Sequence, residues 1–331
     1  MAATALRSML PGAPWLIAHK SMLKPHQPFK VSLLGQDYVL WQDATGIIQA
    51  LPNACPHMGA MLSEGWCEDG KVVCPYHALA FDGTGCTVLP GANQQTLSQL
   101  EPLPLIIQGD FIWSYGPAEP ALPIPTIANE IAQDYEFLGI SEDIRIRTDL
   151  LNLLLIMHDY NHQNGTHRSL FRIESVEFKQ FIDNGLSSHA YYDMPRSQPT
   201  FQEIRQNPAV LLMPKVLEAH LENHFPSLVI FRGEAAIGSI RQVHVMLPES
   251  VTHSRTYVLL YGKAKSPLFK FAKQNIIDLA TTVLDQDRNI LEKTYSDHRQ
   301  KIKLNNEVGI NWVRRNFASF PEVTAPNLSR T

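Results

Sequence analysis

Two short segments, each with one cysteine and one histidine, constrain this 331-residue chain more than any other feature. They are Cys55-Pro56-His57 and Cys74-Pro75-Tyr76-His77. Cysteine thiolates and histidine imidazoles are the side chains that most often bind zinc and iron in proteins. We therefore expect the two segments to form two loops that meet at one metal centre.

Two kinds of centre use two cysteines and two histidines. One is a structural zinc site; the other is a Rieske [2Fe–2S] cluster, in which the cysteines bind one iron and the histidines bind the other. Zinc fingers tend to group cysteine with cysteine and histidine with histidine, whereas each segment here carries one of each. The flanking residues Gly59-Ala60, Leu62-Ser63 and Phe81-Asp82-Gly83 also fit the Rieske pattern. The cluster is the favoured interpretation, and zinc is the alternative.

With these motifs, residues from about 14 to 115 resemble the Rieske domain of the Rieske non-haem iron oxygenases. The family usually has arginine after the first ligand histidine and glycine after the second, where this chain has Met58 and Ala78. The remaining cysteines, Cys67 and Cys86, are expected to be reduced. The resemblance implies four ligands to a [2Fe–2S] cluster: Cys55, His57, Cys74 and His77.

The length and the net charge of the chain limit the classes of protein to which it can belong. The chain is long enough for two domains with buried cores. A formal net charge of −4 gives no electrostatic reason to expect nucleic acid or an anionic membrane as a partner. The longest strongly apolar run, residues 150–157, is far shorter than the roughly 20 residues of a membrane helix. No targeting signal is recognisable at the N-terminus. A soluble, cytoplasmic protein is expected.

A proline-rich stretch at residues 117–125 predicts a linker. We expect a first domain at residues 1–118, which is all-β, and a second domain at residues 119–331. In the second domain a buried helix is predicted from Leu150 to His158, and a long amphipathic helix from about Ser266 to Lys301. Strands are predicted at 176–181, 186–192, 228–231, 240–247 and 256–261, with a turn at Asn184-Gly185. The expected class is α+β, an antiparallel sheet that grips a long helix.

The second domain contains an Asp-x2-His-x4-His motif, which is typical of the catalytic domain of the same family. It comprises Asp159, His162 and His167. The resemblance implies that His162 and His167 bind a mononuclear Fe(II), with an acidic residue on the long C-terminal helix as the third ligand. Asp287 aligns with that ligand, and Asp285, which points to a different helix face, is its competitor. Such a facial triad leaves coordination positions open for dioxygen.

The other histidines that we considered are not expected to bind a metal. His158 is expected to pack or line a pocket. His220 and His224 have the i, i+4 spacing of a helical metal pair, but surface histidines are the better interpretation. Apolar residues at 210–213 and 228–231 could line a substrate pocket or belong to the core.

The resemblance also implies an assembly. In the family, the residue equivalent to Asp159 lies between a Rieske histidine of one subunit and an iron-bound histidine of the next, here His77 and His162. A carboxylate that accepts hydrogen bonds from two metal-bound imidazoles orients both and shortens the electron path. The resemblance therefore implies that the subunits form a head-to-tail ring, usually a homotrimer. Many members have Asn or Glu where this chain has Leu155 or Ile156, which leaves iron with three protein ligands and water.

The expected function is that of an oxygenase component. No flavin or nicotinamide motif is recognisable, because Gly83-Thr84-Gly85 lacks the third glycine and the following helix. A separate NAD(P)H-dependent reductase, with or without a ferredoxin, is therefore expected to supply electrons. With dioxygen, the protein is expected to hydroxylate or oxidatively demethylate a small organic substrate. The alternatives are a cis-dihydroxylating dioxygenase, a Rieske electron carrier, and a binding protein without catalysis.

Overall fold

The structure is a computed structural model and describes residues 6–88, 95–96, 100–201, 205, 214–235, 237–295 and 300–322. It divides into two compact units. The first contains the described residues up to Ile124, together with Leu247–Val251 and residues 321–322. The second contains the described residues of Pro125–Met246 and Thr252–Phe320. Residues 210–213, a predicted pocket lining, lie outside the described residues.

The first unit is built from short antiparallel strands, as expected for an all-β domain. Its three sheets have the orders β1-β11-β10, β2-β3-β4 and β5-β6-β7-β8-β9. The strands are β1 (Trp15–His19), β2 (Phe29–Leu33), β3 (Gln36–Gln42), β4 (Ile48–Pro52), β5 (Trp66–Glu68), β6 (Lys71–Val73), β7 (Ala80–Phe81), β8 (Thr87–Val88), β9 (Gln95–Thr96), β10 (Ile106–Gln108) and β11 (Phe111–Ser114).

The core of this unit lies directly beneath the two cysteine-histidine segments. Trp41 is fully buried on β3, and its indole N–H donates a hydrogen bond to the carbonyl of Gly70 at 2.9 Å. Both loop cysteines belong to the same apolar cluster, whose buried members are Val39, Trp41, Leu51, Cys55, Leu62, Val72, Cys74, Leu79 and Phe81. The loops are therefore anchored to a packed core through their cysteines.

The second unit is α+β, as predicted. An antiparallel sheet runs in the order β12-β19-β18-β17-β16-β15-β14, and β13 also pairs with β19. Its strands are β12 (Glu136–Ile140), β13 (Ile144–Ile146), β14 (Glu177–Asp183), β15 (Ser187–Pro195), β16 (Val216–His224), β17 (Leu228–Ala235), β18 (Gly238–Ser250) and β19 (His253–Ala264). The helices are α1 (Ile127–Asp134), α2 (Leu150–His158), α3 (Arg168–Phe171), α4 (Phe269–Leu291) and α5 (Val308–Ala318).

The long helix is shorter than the sequence predicted. Helix α4 ends at Leu291 rather than near Lys301, and residues 292–293 form a turn. It packs against β12, β13 and β19. Ala280, Leu284, Asp287 and Leu291 are buried and recur at helical spacing, so they form one stripe. A carboxylate thus occupies a position in an apolar stripe, where only a paired or metal-bound acid is expected.

Several predicted elements are confirmed. The hairpin β14–β15 turns at Asn184-Gly185, where Gly185 has φ +81° and donates its N–H to the Asp183 carboxylate at 2.9 Å. Helix α2 begins after Asp149, whose carboxylate accepts the N–H of Asn152 at 2.8 Å. Leu228, Val229 and Ile230 are fully buried on β17 and belong to the core. None of the helices in the described part of the chain has the length and apolarity needed to cross a membrane.

Candidate metal centres

The two cysteine-histidine segments of the first unit have the same backbone structure. In the first loop the N–H of Gly59 donates to the carbonyl of Cys55 at 2.8 Å, and the N–H of Cys55 donates to Ala60 at 2.9 Å. In the second loop the corresponding bonds run from Ala78 to Cys74 at 3.0 Å and from Cys74 to Leu79 at 2.9 Å. The repeated hydrogen bonding places Cys55 and Cys74 at equivalent positions of the two loops.

The side chains of these loops separate into a buried and an exposed pair. Cys55 and Cys74 are buried, and their thiols are close enough to hydrogen-bond. His57 and His77 are exposed, with their Nδ1 atoms 3.2 Å apart and their ring centroids 4.6 Å apart. Two thiols and two imidazole nitrogens in adjacent pairs are the donor set of a Rieske cluster, in which the two buried cysteines would bind one iron and the two exposed histidines the other.

The environment of the thiols is suited to a metal-bound sulfur. Burial raises the pKa of Cys55, while backbone N–H groups of His57 and Met58 act in the opposite direction by hydrogen-bonding to its sulfur. N–H groups directed at sulfur stabilise a thiolate once a cation shares its charge. The other two cysteines form no disulfide, as expected, and burial raises the pKa of Cys67 to about 11.

The second centre lies in the second unit, at the C-terminal end of helix α2. Asp159 ends this helix and starts a short 3-10 helix, Tyr160–Asn164, by accepting the N–H of Asn161 on its carboxylate at 3.0 Å. The short helix carries His162. His167 directly precedes α3, and Asp287 reaches the same point from α4. Three separate elements therefore deliver the three predicted iron ligands.

The three side chains converge. One potential ligand atom from each of His162, His167 and Asp287 lies within 4.8 Å of the other two. The Oδ1 of Asp287 is 3.1 Å from Nε2 of His167 and 3.8 Å from Nε2 of His162. Asp287 is 4% exposed and His167 is 1% exposed, and both of these facing atoms lack a hydrogen-bond partner within the described ranges. Unpaired polar atoms are costly when buried, so the arrangement fits a bound cation.

Both imidazoles are oriented through their Nδ1 atoms. His162 Nδ1–H donates to the backbone carbonyl of Asp159, and His167 Nδ1–H donates to Oε1 of Gln286 at 2.7 Å. Because both acceptors are carbonyl oxygens, each ring carries its proton on Nδ1 and directs the lone pair of Nε2 toward Asp287. Gln163 places its amide nitrogen 3.2 Å from His162 Nε2, a contact that a metal bound at this nitrogen would replace.

Gln286 was not predicted from the sequence. Its only signal there is that it directly precedes Asp287, and a glutamine on a helix is usually a solvent-facing residue. The contact with His167 exists because the last turns of α4 pass beside α3. Carbonyl partners of this kind orient metal-bound imidazoles in many proteins.

The pKa values of the two histidines are shifted in opposite directions. Burial lowers the pKa of His162, against the opposing influence of Asp287. Burial also acts to lower the pKa of His167, but the nearby Asp287 carboxylate and the Gln286 acceptor together outweigh burial and leave the pKa raised. The difference follows the distances, since Asp287 is nearer to His167. A neutral imidazole and an imidazole paired with a carboxylate are both suited to bind a cation.

The competing acid lies elsewhere on the helix. Asp285 is partly exposed and pairs with Arg288 at 2.7 Å, one helical turn away. Asp287 is thus the acid that meets both histidines. The carboxylate of Asp159 does not contact His162 through the hydrogen bond that was expected, because the ring bonds to the Asp159 backbone instead. Burial raises the pKa of Asp159, and the nearby His162 opposes this.

The remaining histidines form no third metal centre among the described residues. His158 is buried, donates from Nδ1 to the Leu154 carbonyl at 2.7 Å and stacks near Trp312, so its packing role is confirmed. The helical spacing of His220 and His224 was misleading, because both lie on strand β16. They are also only partly exposed: His220 contacts His189 at 3.2 Å, and His224 contacts Glu222 at 3.0 Å.

The chain is similar to several known proteins. Residues 13–101 match the family of Rieske [2Fe–2S] domains. The chain is 29% identical over 182 residues to aminopyrrolnitrin oxygenase PrnD of Pseudomonas fluorescens, covering 52% of this chain and 49% of that protein. It is 33% identical over 184 residues to 4beta-methylsterol monooxygenase of Methylococcus capsulatus, covering 52% and 48%. The chain thus spans about half the length of the curated relatives it matches.

The likeness in structure extends over nearly the whole chain. Dicamba monooxygenase bound to dicamba superposes with a TM-score of 0.72 at 18% sequence identity, covering 94% of this chain and 97% of that one. At this identity the superposition concerns the fold. The chain therefore contains a Rieske [2Fe–2S] domain at residues 13–101, is similar to the oxygenases named above, and has the fold of dicamba monooxygenase.

Proposed function

We propose that this protein is the oxygenase component of a Rieske-type monooxygenase system. Cys55, His57, Cys74 and His77 hold the [2Fe–2S] cluster, and His162, His167 and Asp287 hold a mononuclear Fe(II). When bound, the cluster supplies single electrons and the ferrous ion activates dioxygen beside an organic substrate. The observation that carries the proposal is the buried convergence of two histidines and one aspartate in a chain that also contains a Rieske domain.

The three iron ligands and the residues that hydrogen-bond to them have different roles. Asp287 supplies the negative charge that a dication needs in a buried site, while His162 and His167 supply neutral nitrogen donors. Asp159 and Gln286 keep the proton of each imidazole on Nδ1 and so leave Nε2 available. Three protein ligands would leave coordination positions of the iron open for dioxygen. Insertion of one oxygen atom, as hydroxylation or oxidative demethylation, is supported by the named monooxygenase relatives.

The proposal includes partners. The chain has no recognisable nicotinamide or flavin motif, so a separate NAD(P)H-dependent reductase, with or without a ferredoxin, supplies electrons. The exposed edges of His57 and His77 suit electron exchange with another protein surface. A homotrimer brings the cluster of one subunit to Asp159 of the next, and the division of the chain at residue 118 separates the cluster domain from the iron domain.

Iron content tests the proposal directly. Protein reconstituted anaerobically with iron and sulfide should contain about three irons per chain, two in the cluster and one at the triad. Asp287→Asn should keep the cluster spectrum and lose only the third iron, whereas Asp285→Asn should retain all three. Two irons in the wild type would overturn the proposal and favour an electron carrier or a non-catalytic binding protein.

Substrate-dependent turnover is the second test. The reduced, fully loaded protein should be reoxidised by air slowly alone and faster with a compound that it oxidises. A metabolite screen of reoxidation rate then identifies substrate compounds, and mass analysis of the product separates one inserted oxygen atom from a cis-diol. A cis-diol product would show that the protein is a cis-dihydroxylating dioxygenase rather than a monooxygenase.

A further inference from the structure

A basic and apolar segment lies where strand β19 ends and helix α4 begins. Two large apolar side chains of this segment are exposed, Leu268 at 60% and Phe271 at 82%. Residues 263–275 contain no acidic residue and four exposed lysines, which are Lys263, Lys265, Lys270 and Lys273. We call residues 263–275 the basic-apolar patch.

The first turn of α4 holds the two apolar side chains outward. Phe269, the first residue of the helix, is only 4% exposed. Its ring packs on the backbone of Gly238 and Gly262, where a Cβ on either glycine would overlap it. Phe271 follows two residues later, about 200° around the helix axis, and so points away from the sheet. The exposure of Leu268 and Phe271 is therefore fixed by the anchoring of Phe269.

The acids next to the basic-apolar patch do not neutralise it. The carboxylate of Glu234 pairs with Lys265 at 3.0 Å, but it also pairs with Arg241 at 3.0 Å. Two further acids, Glu136 and Asp278, lie at the border of the patch. Four lysines and Arg241 thus meet three carboxylates. The chain as a whole has a formal charge of −4, so the positive charge here is a local feature.

Two of the lysines are available to an outside partner. Lys270 and Lys273 form no side-chain ion pair with any residue that the structure describes. They are three residues apart on α4, so they lie on neighbouring positions of its surface, beside Phe271. An exposed aromatic side chain between unpaired lysines indicates a contact surface for something both apolar and negatively charged.

The shape of the basic-apolar patch favours a lipid surface over a protein. A stable protein interface typically buries about 800 Å² on each partner around an apolar core, which is more than two protruding side chains supply. A lipid surface instead deforms around such side chains. Phenylalanine and leucine enter the boundary between headgroups and acyl chains, while lysines contact anionic headgroups.

We propose that the basic-apolar patch docks this protein reversibly on an anionic membrane surface. Leu268 and Phe271 insert among the headgroups, and Lys270 and Lys273 contact the lipid phosphates. The contact is peripheral, because two apolar side chains bury far less apolar surface than a membrane-spanning helix. This inference goes beyond the proposed oxygenase function and does not depend on it.

Vesicle binding by the full-length, metal-loaded protein tests the proposal. The protein should sediment with vesicles of phosphatidylcholine and phosphatidylserine in equal amounts, and much less with phosphatidylcholine alone. Binding should weaken as salt is added, because salt screens the attraction between exposed charges. Equal binding to both kinds of vesicle, or no binding to the anionic ones, would overturn the proposal.

Variants locate the contact. Phe271→Ser should weaken vesicle binding about tenfold, and loss of either Lys270 or Lys273, as Gln, about fivefold each. Phe201→Ser is the matched control, because Phe201 is also 82% exposed but follows β15, on the other side of the sheet from β19. Lys215→Gln, just before β16, is the charge control. Equal losses in patch and control variants would contradict the assignment.

The alternative occupant is another protein molecule, including a second copy of this chain. Light scattering after size exclusion measures the oligomeric state of the wild type and of Phe271→Ser. An unchanged oligomer together with weakened vesicle binding supports the proposal. Dissociation of the oligomer by this substitution would show instead that the basic-apolar patch is a contact between subunits.

Discussion

Gly59 and Ala78 occupy the same position in the two ligand loops, and both have left-handed backbone conformations, with φ of +76° and +54°. Each donates its N–H to the carbonyl of the cysteine four residues earlier, which closes the loop around the metal-binding side chains. Glycine adopts this conformation freely, whereas a residue with a Cβ is strained there. Ala78 has a Cβ and Gly59 does not, so Ala78 is the strained member of the pair.

Exchanging the two residue types should therefore have opposite effects. Ala78→Gly relieves the strain and should stabilise the first unit by about 1 kcal/mol. Gly59→Ala should destabilise it by about the same amount, because a Cβ there meets no atom within 4 Å and only the backbone conformation opposes it. Urea unfolding followed through the cluster absorbance measures both. If both substitutions changed the stability in the same direction, the backbone angle φ would not determine the stability at these two positions.

Gln286 should control the affinity of the triad for iron. Gln286→Leu removes the acceptor of His167 Nδ1–H, and loss of such a partner typically weakens metal binding about 10- to 100-fold. Competition with a ferrous chelator measures the dissociation constant. Gln274→Leu makes the same substitution at an exposed position on the same helix and should leave the affinity unchanged. Equal affinities for iron in the two variants would show that Gln286 does not contribute to iron binding.

Stability should fall as the pH drops, partly because of His158. Burial lowers its pKa from 6.5 to about 4, so the unfolded chain binds this proton first. The stability that this residue contributes is fully present above pH 6.5 and is lost as the pH falls toward 4. Between pH 7 and pH 5 the loss is about 2 kcal/mol. His158→Phe should show a smaller decrease by that amount in urea unfolding; an identical pH dependence would contradict this explanation.

Asp159 should affect turnover without affecting metal content. If its carboxylate links the cluster of one subunit to the iron of the next, Asp159→Asn keeps both metals and loses nearly all activity. Metal analysis and reoxidation with an accelerating compound measure the two properties. Asp183→Asn, which breaks an exposed ion pair with Arg315, is the control and should remain active. Wild-type turnover in Asp159→Asn would exclude the bridging role.

The convergence of His162, His167 and Asp287 could be predicted because their chemistry is carried by short local motifs. Asp287 could also be separated from Asp285 by helical spacing, since Asp287 shares a stripe with Ala280, Leu284 and Leu291. The chain order of strands and helices followed from apolar patterns and from the turn at Asn184-Gly185. Local spacing was sufficient for these features.

Features that depend on contacts between distant segments were missed. Gln286 acquires its role only when α4 brings it to His167, and no spacing reveals this. The His220–His224 spacing is shared by helices and strands, because residues four apart lie on one face in both. The end of α4 at Leu291 is not marked by glycine or proline, so the predicted helix ran too far.

Gln286 and Asp287 are adjacent in the chain. Their adjacency couples loss of the metal ion to unfolding of the last turn of α4, two events that are independent in many metalloproteins. One helical turn holds both the acid that binds the ion and the amide that aligns an imidazole, and it lies next to the helix terminus at Leu291. Fraying of that terminus would release both contacts at once. Departure of the ion and melting of the terminal turn should then be a single cooperative transition, detectable as amide exchange that slows when iron is bound.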